Sequence, residues 1–220
     1  MAIHLVRDQT RLQHDLLALA GLVEQTIHRA VRALHTGNLT LAQAVIAADQ
    51  QIDREENLIH EECLKMLALH QPVACDLRRV VAVMLITTDL ERMGDLAEEI
   101  AERALHLGAS PLLPVPDKLQ RMADVTISMV RQALDSFVRL DQEQAERVLR
   151  MDDEVDNYNR EIIAELIQTM QQTPASTEAG LSLFSATRHL ERIADHATNI
   201  AEDVIYLISG DIVKHRPHLR

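Results

Sequence analysis

Aromatic residues are almost missing from this chain: 220 residues contain no tryptophan, two tyrosines and two phenylalanines. With so few rings to stack on bases, and a formal net charge of −12 that repels phosphate backbones, no nucleic-acid partner is expected. Cysteine is nearly absent as well. Cys63 and Cys75 are too few for a disulfide framework and lack metal-site spacing, so they read as reduced thiols on helices. Long apolar runs are also lacking. The longest, Val80 to Ile86, falls far short of the roughly 18 residues that span a bilayer, and the N-terminus has no basic segment followed by an apolar signal core. The expectation is a soluble, cytoplasmic protein, peripheral to membranes at most.

Glycine and proline number six each and are clustered. Breakers fall at Gly37-Asn38, Gln71-Pro72, Gly108 through Pro116, Thr173-Pro174 and Gly210. Between them lie stretches rich in Ala, Leu, Glu, Gln and Arg with apolar residues at helical spacing, such as Val80, Val83, Leu90, Ala97, Ala101 and Ala104. Helices are expected near 5–36, 40–70, 76–107, 117–140, 142–172 and 178–209, with no strand. Thr40 to Gln43 reads as a capping box opening the second of these, and Asp141 to Gln144 as one opening the fifth. The apolar content of 47% is enough for a real core.

The chain also repeats itself. Comparing Thr87–Glu102 with Thr187–Glu202, nine of sixteen positions are identical, including Glu91/Glu191, Arg92/Arg192, Asp95/Asp195 and Glu102/Glu202; chance would give about one. A second match pairs "DQQID" from Asp49 with "DDEVD" from Asp152, offset by 103 rather than 100. The simplest account is an all-α chain of two tandem, pseudo-symmetric three-helix bundles, the first over residues 1–110 and the second over 111–220, packed as one elongated unit.

Asp49/Asp53, Glu91/Asp95, Asp152/Asp156 and Glu191/Asp195 are all i, i+4 pairs, and each pair lies on one helix face. Such pairs alone say little, but their registration says more. In a hairpin turning near Pro72, Asp49/Asp53 lie 23 and 19 residues before the turn and Glu91/Asp95 lie 19 and 23 after it. At about 1.5 Å per residue the four carboxylates reach one height, and the second repeat copies the arithmetic around Pro174. A stripe Leu77, Val81, Met84, Thr88, Glu91, Asp95, Glu98, Glu102 reads as an apolar seam that turns acidic, copied as Leu181, Phe184, Arg188, Glu191, Asp195, Thr198, Glu202. Gathered carboxylates must protonate, spread, pair with cations or bind metal. Oxygen-only sites suit Mg²⁺, Mn²⁺ or Ca²⁺, and iron clusters are also compatible. The plainer alternative pairs these acids with Arg92, Arg192, Arg54 and Arg160.

Two further readings stand beside it. A carboxylate-bridged metalloenzyme of the di-iron type needs Glu-x-x-His on two helices, and the chain contains none; Glu56/His60 and Glu102/His106 are spaced i, i+4. His196, next to Asp195, stays outside the candidate ligand set. A helical adaptor would instead use the acids as a docking face for basic partners.

The paired "LER[MI]xD" phrases, "QPVACDLRRVVAVM" at the first hairpin turn and "RHLERIADHATNIAEDVIYLISG" near the end together resemble the PhoU family over essentially the whole chain. The resemblance implies a non-enzymatic cytoplasmic regulator that restrains the high-affinity phosphate transporter and keeps the phosphate-starvation two-component system off. It implies the transporter's ATPase subunit and a phosphate-responsive sensor histidine kinase as partners, and a homodimer. It also implies clusters of divalent or iron-group metal ions (Mg, Mn, Fe or similar) held through Glu91/Asp95 and Glu191/Asp195, with Asp49/Asp53 and Asp152/Asp156 as their hairpin partners. One departure is Ala194, where the first repeat has Gly94 and the family favours glycine; an added methyl there alters close packing at the second site.

Overall fold

The structure, a computed structural model, describes residues 2–109 and 113–210. Among the described residues the elements run α1 (Ala2–Thr36), α2 (Leu39–Ile46), α3 (Asp49–His70), α4 (Ala74–Ala109), α5 (Asp117–Arg139), α6 (Gln142–Gln172), a 3-10 turn at Pro174–Ser176, and α7 (Thr177–Ser209), with no strand. All six expected segments are helical. The second, expected unbroken over 40–70, is interrupted at Ala47 and Ala48. There the Ala48 N–H bonds the Val45 carbonyl at 3.0 Å and the Gln51 N–H bonds the Ala48 carbonyl at 2.9 Å, so the chain tightens to three-residue spacing.

The caps show which local signals operate. Asp141 caps α6 as expected, its Oδ1 accepting from the Gln144 N–H at 3.0 Å. Thr40 does not cap α2. Asn38 holds that role, accepting from the Leu41 N–H at 3.0 Å, because the helix already begins at Leu39. Gly108, expected beyond the end of its helix, lies in the last turn of α4, where an added Cβ would come 2.3 Å from Leu39 Cδ2. The missing side chain lets the start of α2 rest against the end of α4.

Helices α1, α3 and α4 form one three-helix unit and α5, α6 and α7 form the other, with α2 lying on α1 and α4. The units meet along α4 and α7, and α1 also touches α5. Contacts along the α4–α7 seam fix its direction. Arg78 Nε donates to the Leu207 carbonyl at 3.3 Å, His196 Nδ1 lies 2.7 Å from Asp89, and His189 Nδ1 lies 2.9 Å from Glu99. As numbers rise on α4 they fall on α7, so the two helices are antiparallel. The Asp89–Asn199 contact at 3.3 Å and the His189–Glu99 contact occupy corresponding places in the repeats, as a pseudo-twofold relation requires.

Half of the repeated phrase builds this core. Thr87 and Thr187, Leu90 and Leu190, Ala97 and Ala197, Ile100 and Ile200, and Ala101 and Ala201 are all fully buried. The alanines keep the packed faces narrow, which favours close helix approach. The two threonines satisfy their hydroxyls locally, Thr87 donating to the Val83 carbonyl and Thr187 to the Leu183 carbonyl, each at 2.8 Å. Cys63 is buried in the same core, and burial foremost pushes its thiol up to about 12, which removes it from thiolate chemistry.

Leu140 closes α5 at φ +52°, in the left-handed region, and the residue is 46% exposed. Leu140→Gly is expected to raise unfolding stability by about 1 kcal/mol, the relief of left-handed strain less the entropy that glycine forfeits on folding. Urea titration measures it, and a loss would show that the leucine side chain outweighs the backbone strain.

Candidate metal centre

The hairpin α3–α4 brings its acids together at the expected height. One oxygen from each of Asp49, Asp53 and Asp95 lies within 4.8 Å of the others, the only such group of three acidic, histidine or cysteine donors among the described residues. Glu91, expected as a fourth member, is not part of that group but acts on Asp95 from one turn away on α4 and is held mostly out of solvent, its side chain 16% exposed. Burial first, and then Asp95, push its carboxyl up to about 7; Arg92 opposes this, and Glu56 and Asp53 add to it. Asp49 is raised by burial and by Asp53 and Asp95, and Glu98 by burial and by Asp49, Glu102, Asp95 and Asp53. Asp49 Oδ1 is buried and accepts no hydrogen bond. The fit to a hard dication is therefore good: oxygen donors crowd one groove, oppose one another's ionisation and include a shielded oxygen that no protein donor satisfies.

The second repeat assembles differently. Glu191 is raised by burial, by Asp195 and by Asp156 across the hairpin, while Arg188 draws it back through charge and a hydrogen bond. Arg188 Nη1 lies 2.7 Å from Glu191 Oε1. Asp152, Asp156, Glu191 and Asp195 do not supply a second group of three convergent oxygens.

The expected seam needs correction. The stripe Leu77–Val81–Met84 is not a buried seam: Leu77 is 40% exposed, and its counterparts Leu181 and Phe184 are 56% and 37% exposed. The packed face of α4 lies to one side of it, through Val80, Val83, Ile86, Leu90, Met93 and Ala97. A stripe at helical spacing marks a face without saying which face is packed. The acids can sit where they do because their whole stripe borders solvent.

The arginines expected to neutralise the acids divide. Arg92 does pair, reaching Asp95 at 3.0 Å and Glu91 at 3.4 Å. Arg54 bonds the Gln50 carbonyl and Arg160 bonds Asn157 instead. His196 turns to Asp89 on the α4–α7 seam rather than to the acidic groove. His60 places Nε2 3.2 Å from the Met84 carbonyl.

Three participants lay outside the expected ligand set: Glu56, Glu98 and Arg188. Glu98 and Arg188 stand on the stripes already drawn, and Glu56 is on α3 one turn beyond Asp53, so helical spacing alone could have found them. A fourth contribution is steric. A Cβ on Gly94 would lie 2.9 Å from Ile52 Cδ1, so the glycine lets α3 approach α4 between the two acid pairs. In the second repeat the position equivalent to Ile52 is Val155, one carbon smaller, and the position equivalent to Gly94 is the larger Ala194; both are fully buried. The methyl gained at one position is offset by the methyl lost at the other, so the departure at Ala194 has a compensating partner.

Comparison with known proteins agrees with this architecture. The PhoU domain matches twice, over residues 16–104 and 119–204. The "Phosphate-specific transport system accessory protein PhoU homolog" of Pseudomonas putida is 43% identical over 207 residues, covering 93% of this chain and 80% of that protein. The crystal structure of PhoU from Pseudomonas aeruginosa superposes with a TM-score of 0.88 at 38% identity, covering 93% of this chain and 99% of that one. That of the phosphate transport system regulatory protein PhoU from Streptococcus pneumoniae gives 0.90 at 30% identity, covering 96% and 99%. The matched proteins carry names of accessory and regulatory proteins, not of enzymes. On the doubled match, the shared architecture and identity across nearly its whole length, this chain belongs to the PhoU domain family.

Proposed function

We propose that this chain is a regulator accessory to phosphate transport, which restrains the high-affinity transporter and holds the phosphate-starvation two-component system off when phosphate is plentiful. The observation that carries the reading is the near-full-length match to accessory proteins of the phosphate-specific transport system. Its working partners are the transporter's ATPase subunit and the phosphate-responsive sensor kinase, and it acts as a cytoplasmic homodimer. Among the described residues no helix is long and apolar enough to cross a membrane, which suits docking onto membrane complexes from one side.

Metal ions of the Mg, Mn or Fe type belong to the same reading. Asp49, Asp53, Glu91 and Asp95 would hold them in the first repeat, and Asp152, Asp156, Glu191 and Asp195 are the corresponding candidates in the second. A bound dication would neutralise crowded carboxylates and tie the two helices of its hairpin together. Deleting the gene is expected to raise a phosphate-starvation reporter several-fold in phosphate-rich medium, and affinity capture is expected to recover the ATPase subunit or the kinase. A deletion strain with normal repression and normal phosphate uptake would remove this function.

A further inference from the structure

The two acidic clusters share one pattern, yet their surroundings differ, notably at three corresponding positions. Glu56 acts on Glu91 from α3, and its counterpart 103 residues on is Asn159, which is buried. Glu98 shares the groove with Asp49 and Asp95, and its counterpart is Thr198, whose hydroxyl donates to the Asp195 carbonyl at 2.7 Å. Thr88 turns its hydroxyl to the Met84 carbonyl, and its counterpart is Arg188, bonded to Glu191 at 2.7 Å. Two changes each remove a negative charge and the third adds a positive one, so at these three positions the second repeat is three charge units less negative than the first. Arg92 and Arg192 occur in both repeats but are placed differently: Arg92 pairs with Glu91 and Asp95, whereas Arg192 acts on His189.

These changes act together. A hard dication replaces lost hydration with carboxylate oxygens, and its affinity rises with their number and charge. A guanidinium seeks the same oxygens and supplies both charge and directed N–H donors. With Arg188 on Glu191 the second groove already holds a cation, has fewer donors to offer another and repels one that approaches. The first groove carries Arg92 on Glu91 and Asp95, its side chain 59% exposed against 42% for Arg188, yet it keeps the three convergent oxygens of Asp49, Asp53 and Asp95 that the second groove lacks.

We infer that the repeats have divided their roles, so that in this chain the cluster of Asp49, Asp53, Glu91 and Asp95 binds the divalent ion while Arg188 takes the ion's place in the cluster of Glu191 and Asp195. This rests on the reading that the acidic grooves bind metal at all. The second cluster is then a fixed, metal-independent counterpart of a metal-responsive first one.

Equilibrium dialysis of the full chain against Mn²⁺ after chelator stripping, read by elemental analysis, tests it. The parent chain is expected to show one saturable class of uptake, lost in Glu91→Gln/Asp95→Asn and retained in Glu191→Gln/Asp195→Asn. Arg188→Thr is expected to open a second class. Circular dichroism confirms folding of each form, and Arg188→Gln serves the same test if the threonine variant does not fold. Partial loss of uptake in Glu191→Gln/Asp195→Asn, with no gain in Arg188→Thr, overturns the inference while leaving metal binding intact. Absence of Mn²⁺ uptake in every form overturns the metal reading and the inference with it.

Discussion

Neutralising Glu91 is expected to make the metal-free chain more stable at pH 7.5. The Glu91 carboxyl sits at about 7 in the folded chain against an ordinary value of 4.5, raised by burial and by Asp95 with Arg92 only partly opposing. In the unfolded chain the same group ionises at its ordinary value. Between about 4.5 and 7 the folded state therefore holds more protons than the unfolded state, and stability falls as pH rises through that window. Asp49 and Glu98 are shifted in the same direction and steepen the fall. For Glu91 the loss by pH 7.5 is on the order of 1 to 3 kcal/mol, and Glu91→Gln should recover most of it. Urea unfolding of chelator-treated protein at pH 5.5 and 7.5 measures both quantities. A parent chain equally stable at the two values, or a glutamine variant with the same pH slope as its parent, would contradict the account. Saturating Mn²⁺ should reverse the trend, because the ion favours the ionised carboxylates and protons compete with it.

The bundle was readable because its punctuation is local. Gly37, Pro72 and Pro174 stop helices by backbone chemistry that holds wherever they stand, and Asp141 caps its helix with its own side chain. The break at Ala47 and Ala48 was not readable, since alanine is the strongest helix former and nothing there announces a stop. It depends on α2 and α3 each packing on α1 and α4, and that information belongs to those neighbours. The site divides in the same way. Helical rise alone predicts that Asp49, Asp53 and Asp95 meet, because registration around a hairpin is arithmetic. The orientation of the acidic stripe toward solvent was misread, because the alanine-rich seam with α7, rather than the leucines of the stripe, decides which way α4 turns. The binding of His196 to Asp89 depends on how the two repeats dock, which neither repeat encodes by itself.

Gly94→Ala is expected to cost about 1 to 3 kcal/mol, the usual range for forcing a methyl into a packed core. Its Cβ would lie 2.9 Å from Ile52 Cδ1 and 3.2 Å from Ile52 Cγ2, so either Ile52 or α3 must give way. Trimming the neighbour should remove the closer of the two contacts, since valine lacks Cδ1 and keeps only Cγ2. Ile52→Val on its own costs about 0.5 to 1.5 kcal/mol as a cavity substitution, yet Gly94→Ala/Ile52→Val recreates the Ala194 and Val155 pair that the second repeat already buries. The double variant should therefore be more stable than the sum of the single losses allows, by a coupling energy of about 0.5 to 3 kcal/mol. Metal uptake should follow the same order. Ile52 lies between Asp49 and Asp53 in the chain, so displacing it moves those carboxylates away from Asp95, while the double variant restores their approach. Mn²⁺ affinity should fall in Gly94→Ala and recover in the double variant. If the stability losses simply add, Gly94 and Ile52 are not a matched pair; if stability recovers and affinity does not, the close approach of α3 and α4 serves packing alone.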